Sequence, residues 1–230
     1  MVESGVVTDE PSFGPELFGF LAELKAHNDR DWFNANKARY ENDLLEPALA
    51  FIEDFAPHLD QISPHLRADP RRVGGSLFRI YRDTRFSKDK TPYKTAAGIW
   101  FKHEQAREVR APGFYLHLAP GDVFAGGGIW HPDTKTINRI RDAIVADPDG
   151  WREATSTVEL GRGEELKRVP SGYDKDHPLA EDLKRRNFAA IERLSEAEAT
   201  GPDFLQRYAR ACESMAPVMA FLCRAVGVPF

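Results

Sequence analysis

The feature that most constrains this chain is a change in the period of its apolar residues. Between Pro15 and Leu59 they recur every three to four positions, as in Leu17, Phe18, Leu21 and Leu24 and again in Leu45, Leu49, Ile52, Phe55 and Leu59. That spacing lines one side of an α-helix. From Ser76 to Ile129 the repeat shortens to two, which places alternate side chains on opposite faces of a strand. Past Trp130-His131-Pro132 the longer period returns in Ile137, Ile140, Ile144 and Val145, with Arg139, Arg141 and Asp142 turned away. Helices, then strands, then helices predict an α+β fold, with the sheet in mid-chain between N-terminal and C-terminal helices.

Four runs carry the strand period: 76–82, 95–102, 114–118 and 123–129. Their links are short and hold Pro or Gly, too short for helical crossovers, so an antiparallel meander of about four strands is expected. In the first run Phe78 and Ile80 should share one face, and Leu77, Arg79 and Tyr81 the other. Asn28, Asp29 and Asp31 offer N-caps to a helix bearing Trp32, Phe33, Asn36 and Tyr40. The Ile137 stripe should cover one face of the sheet. Further helices are expected over 179–194 and 203–226. Residues 1–12 lack periodicity and read as a disordered tail, leaving 13–230 as a single domain.

No run approaches the ~20 apolar residues a membrane helix needs, and the first residues carry acids where a secretory leader carries lysines. A cytoplasmic protein away from membranes is the expectation. Cys212 and Cys223 fit it: eleven residues apart in one helix they lie roughly 16 Å apart along the axis, too far for a disulfide. They should be reduced and buried. The net charge of −5 argues against a surface coated in positive field. Within residues 71–94, however, eight bases (Arg71, Arg72, Arg79, Arg82, Arg85, Lys88, Lys90, Lys94) face only Asp83 and Asp89.

The densest chemistry is the stretch Arg79-Ile80-Tyr81-Arg82-Asp83-Thr84-Arg85-Phe86-Ser87-Lys88-Asp89-Lys90-Thr91-Pro92-Tyr93. It resembles the signature Arg-x-x-Arg-Asp-x-Arg-Phe, spacer, Lys-x-x-Tyr of a bacterial and fungal family known as domain of unknown function 2461, matched here by Arg79, Arg82, Asp83, Arg85, Phe86, Lys90 and Tyr93. Asn28-Asp29-Arg30-Asp31-Trp32-Phe33 and Ala111-Pro112-Gly113-Phe114-Tyr115 extend the resemblance over nearly the whole chain. The resemblance implies relatives but no activity, ligand or cofactor.

Guanidinium and ammonium groups held close together repel unless carboxylates or a bound anion offset them. Three readings of the block follow. Acids of the N-terminal helices saturate the arginines, with Asp83 and Asp89 capping the loop; or Arg79, Arg82, Arg85 and Lys90 bind an anion while Tyr81 and Tyr93 flank a flat ring; or the run is simply solvated. The second gives a pocket for a phosphorylated or carboxylated small molecule, floored by the sheet and walled by the N-terminal helices. Were chemistry to follow binding, Asp83, Tyr93 and His117 are the proton-handling candidates. Nucleic-acid binding through the same patch, with Tyr81, Phe86 and Tyr93 stacking on bases, and a non-catalytic protein-interaction module are the alternatives. An exposed basic loop favours nucleic acid and a recessed one the small molecule.

Other signals fail. Gly74-Gly75-Ser76-Leu77-Phe78 has Phe78 where a nucleophile elbow needs glycine. Gly121 and Gly126 have phosphate-loop spacing, but Gly127 replaces the lysine, and the glycine run 126–128 marks a bulge or a close backbone approach. The seven histidines show no metal-ligand spacing, so neither metal nor cofactor is expected; His117, opposite Phe114, Leu116 and Leu118, and His131 are candidate acids or bases.

Overall fold

A computed structural model describes residues 11–161 and 163–230; most of the expected N-terminal tail lies outside them. The chain begins with α1 (Pro15–Ala26) and α2 (Arg30–Ala35), followed by the short α3 (Lys37–Arg39), a π-helical turn (Tyr40–Leu45) and α4 (Glu46–Ile62). Five strands then form one antiparallel sheet in sequence order: β1 (Leu66–Arg67), β2 (Ala97–His103), β3 (Gly113–Ala119), β4 (Asp122–Ile129) and β5 (Phe188–Leu194). Between β4 and β5 run α5 (Thr134–Ala146), α6 (Pro148–Thr155) and α7 (Ala180–Lys184). The short α8 (Glu196–Ala199) and the long α9 (Phe204–Val226) close the fold. No helix among the described residues is long and apolar enough to cross a membrane.

Alternation decides how the sheet is used. Ile99 and Phe101 of β2, Phe114, Leu116 and Leu118 of β3, and Val123 and Ala125 of β4 all point to one face, where they are buried with side chains of α1, α4 and α9. The aromatic core there is dense: the rings of Phe55 and Phe101 lie 4.8 Å apart, and those of Phe55 and Tyr208 4.9 Å. Gly127 lets α9 approach this face, since a Cβ on it would stand 3.1 Å from Met215 Cβ and 3.0 Å from the Phe114 ring. Ile137, Ile140 and Ile144 of α5 and Trp151 of α6 form a second cluster with Phe188 and the C-terminal half of α9. Cys212 and Cys223 are buried thiols, as expected.

The structure corrects three local expectations. The run 179–194 is not one helix: Leu179 and Leu183 carry a helical spacing only as far as Lys184, and residues 188–194 instead complete the sheet as β5, Gly127 pairing with Ala190 and Gly128 with Ala189. The glycine-rich edge of β4 needs that partner for its backbone groups. The run 76–82 is not one strand either. Its first half pairs with β2, Phe78 N–H donating to Gly98 O (2.8 Å), while its second half folds back on its own return limb, Tyr81 bridging Tyr93 and Arg82 N–H donating to Pro92 O (2.9 Å). Phe78 and Ile80 therefore part company, Phe78 facing outward and Ile80 entering the core. On α5, Arg141 does not face away but is buried, donating to Arg185 O at 3.0 Å, while Val145 is exposed.

Candidate functional site

The basic block is an exposed hairpin whose charges are met mostly from within. Arg82 donates to Asp89 Oδ2 (2.5 Å) and to the Thr91 hydroxyl. Arg85 pairs with Asp83, Nη2 to Oδ2 at 2.6 Å, and Lys90 Nζ donates to Thr84 O at 2.9 Å. The Thr91 N–H, and after it Arg82, hold the Asp89 carboxyl down at about 2, and Arg85 lowers that of Asp83. The offsetting acids thus come from the loop itself rather than from the N-terminal helices. What those helices contribute is an anchor. Asn28 grips the backbone of Tyr93 with its amide, accepting from Tyr93 N–H and donating to Tyr93 O, both at 3.0 Å, and the Phe33 ring stacks on Tyr93 at 4.1 Å. Asp29 caps α2 through Trp32 N–H (2.8 Å). The Asn28 to Phe33 motif is a clamp on the hairpin. Phe86 is 95% exposed, and Arg79, Tyr81 and Lys88 are exposed elsewhere on the hairpin.

A cleft of about 550 Å³ opens on the sheet face away from α1, α4 and α9. Its walls are aromatic, with Phe78, Trp100, Tyr115, Phe124 and Trp130, and its floor is cut low by Gly113, Gly126 and Gly128. Glycine is required at two of these floor positions. A Cβ on Gly113 would fall 2.4 Å from Trp100 Nε1, and Gly128 has φ +146 with Phe188 O where a Cβ would go. Trp130, 53% exposed, rises at one end, and the next residue, His131, is held at φ 49 with its N–H donating to Asn187 Oδ1 (2.7 Å). Cations ride on the walls: Lys94 Nζ stands 5.3 Å from the Phe78 ring centre, Lys102 Nζ 5.2 Å from Trp100, and the Arg193 guanidinium 5.6 Å from Phe124. Arg110 is the cation among the described lining residues.

Two groups in the cleft can exchange a proton. The Tyr115 hydroxyl lies 3.0 Å from His117 Nδ1, and His117 Nε2 lies 3.8 Å from Asp122 Oδ2, whose carboxylate pairs with Arg193 (2.5 Å). Burial pushes Tyr115 up to about 12, and burial also lowers His117, with Asp122 opposing and Arg193 adding to the fall. Of the residues singled out from sequence, His117 lines the cleft; Arg79, Tyr81, Arg82, Asp83, Arg85, Lys90 and Tyr93 lie on or under the hairpin instead.

The His117 shift has a measurable consequence. An unfolded chain takes up its histidine proton near 6.5, whereas the folded state resists until the pH is lower, so the unfolded state binds more protons in that window and stability falls as pH drops through it. In urea titrations at pH 7.5 and 5.5, His117→Phe should lose less stability on acidification than the unsubstituted protein. Equal losses would mean that His117 does not titrate in this way.

Residues 16–221 match a family model described as conserved hypothetical protein (DUF2461). No curated protein matches the chain.

Proposed function

Because the chain belongs to the DUF2461 family, whose description assigns no activity, we propose from the cleft itself that the protein binds a flat, negatively charged small molecule on the outer face of its sheet. The observation that carries this reading is the pairing of aromatic walls with cations: Arg110 lines the cleft, and Lys94, Lys102 and Arg193, outside its lining, each stand over one of its rings. The outward face of a solvated antiparallel sheet is ordinarily polar, whereas this one carries five aromatic rings over glycines, with Phe78 and Trp130 exposed. The volume falls within the ~300–1,000 Å³ typical of small-ligand sites. Rings offer stacking at both ends of the cleft, and the cations favour a phosphate, sulfonate or carboxylate on the ring's edge.

The test is a titration with 8-anilinonaphthalene-1-sulfonate, an aromatic anion with a flat naphthalene ring whose fluorescence rises in apolar surroundings. Saturable binding at one site per chain is expected, and it should weaken several-fold in Lys102→Ala and Arg110→Ala. Binding unaffected by both substitutions, or no saturable binding, would overturn the reading. A second reading, nucleic-acid binding, draws on the exposed hairpin, which offers Phe86 and the half-exposed Tyr81 together with the exposed Arg79 and Lys88. It requires affinity for a single-stranded oligonucleotide that falls with salt and is lost in Phe86→Ala.

A further inference from the structure

Within the cleft so read, we infer that Tyr115, His117 and Asp122 form a proton relay that abstracts a proton from the bound ring compound. This rests on the cleft being a ligand site, and adds an activity to it. Three observations point to a relay rather than to an ordinary polar contact. Tyr115 and His117 both line the cleft, and among its described lining residues they are the phenol and the imidazole. They are in direct contact at 3.0 Å, on alternate residues of β3 whose neighbours Leu116 and Leu118 are locked in the core, so the strand itself fixes their separation. A carboxylate that could stabilise a charged imidazole lies on the far side of it, Asp122 at 3.8 Å from Nε2, and Asp122 is itself oriented by Arg193. His117 is further fixed by stacking on Phe124, ring centres 4.8 Å apart at 15°.

The direction of transfer follows from the groups around His117: Tyr115 on its own strand, Asp122 on β4 and Arg193 on β5. Burial keeps the phenol protonated, and in the tautomer of His117 with its hydrogen on Nε2, toward Asp122, that phenol donates to Nδ1. When the ligand presents an acidic hydrogen to the Tyr115 oxygen, that hydrogen joins the oxygen while the phenolic proton passes to Nδ1. The electron pair of the broken ligand bond stays on the ligand. The products are a ligand anion, in a cleft lined by Arg110, and an imidazolium beside Asp122. His117 is the base, Tyr115 the group that touches the ligand, and Asp122 a positioning residue.

The probe is 5-nitrobenzisoxazole, a flat ring compound whose single step is loss of a carbon-bound proton to a base, with cleavage of the N–O bond to a nitrile and a coloured phenolate. The full chain should convert it faster than buffer or free imidazole at equal concentration. The rate should fall about 100-fold in His117→Gln and at least about tenfold in Tyr115→Phe, the range expected of a positioned general base. Asp122→Asn should retain turnover with its pH profile displaced toward lower pH, because the imidazolium loses its counter-charge and His117 gives up its proton more readily; a purely structural Asp122 would lower the rate at all pH values alike. Binding of 8-anilinonaphthalene-1-sulfonate is measured on the same variants. Dye binding without turnover in the unsubstituted protein, or turnover unchanged in Tyr115→Phe and His117→Gln, overturns the relay and leaves the binding reading standing. Absence of both dye binding and turnover overturns both.

Discussion

Replacing Asn28 with alanine is expected to cost the protein about 2–4 kcal/mol, although Asn28 lies in a loop and belongs to no core cluster. Its amide makes two hydrogen bonds to one backbone unit, that of Tyr93, a residue only 4% exposed. Each bond is worth about 1 kcal/mol net, and a buried donor or acceptor left without a partner costs about 1–3 kcal/mol. No water can easily replace the amide, because Phe33 closes over the same residue. Phe33→Ala should cost about 3–5 kcal/mol as a large buried ring removed. The two substitutions should be less than additive, since both act by releasing Tyr93 and, with it, the return limb of the hairpin. Limited trypsin digestion gives the local readout: Asn28→Ala should speed cleavage after Arg82, Arg85, Lys88 and Lys90. Arg85→Ala, which removes an exposed charge paired only with its neighbour Asp83, should leave the melting temperature where it was. An Asn28→Ala protein as stable and as slowly cleaved as its parent would show that the clamp holds nothing.

That contrast explains what the sequence could and could not convey. The meander β2 to β4 was readable because three alternating runs are joined by links too short for anything but hairpins, and α5 and α9 because their stripes are long. β5 was hidden because Leu179 and Leu183 give a helical signal just before it and Phe188-Ala189-Ala190-Ile191 is too apolar on both faces to alternate clearly. The basic block attracted attention by its charge, yet its pairings, Asp83 with Arg85 and Arg82 with Asp89, are closed within the loop at separations that no periodicity reveals. The cleft did leave a trace. Trp100, Tyr115 and Phe124 occupy outward positions of β2, β3 and β4, with Trp130 just past the end of β4, while the inward positions are already filled by Phe101, Phe114, Leu116 and Val123. Large rings on both faces of a sheet need something to cover the second face, and glycines interleaved with them indicate room for it.

The two neighbouring glycines of β4 turn that argument into an experiment with opposite outcomes on opposite faces. A Cβ on Gly126 would meet nothing nearer than Ala190 O at 3.7 Å and Tyr115 Cβ at 3.9 Å, ordinary contact distances, and would stand on the floor of the cleft. Gly126→Val should therefore fold at least as well as its parent, since a β-branched residue suits a strand and glycine weakens one. Its side chain would occupy the space a ligand needs, and binding of 8-anilinonaphthalene-1-sulfonate should weaken by about 2 kcal/mol or more, roughly thirtyfold. A Cβ on Gly127 points the other way, 3.0 Å from the Phe114 ring and 3.1 Å from Met215 Cβ. Gly127→Ala overfills the contact with α9 and should cost about 1–3 kcal/mol in stability while dye binding persists. Melting curves and dye titrations on both variants separate the two faces, because fold damage would lower stability and binding together. If Gly126→Val bound the dye as its parent does, the ligand site would lie elsewhere and the aromatic cleft would lose its claim to function.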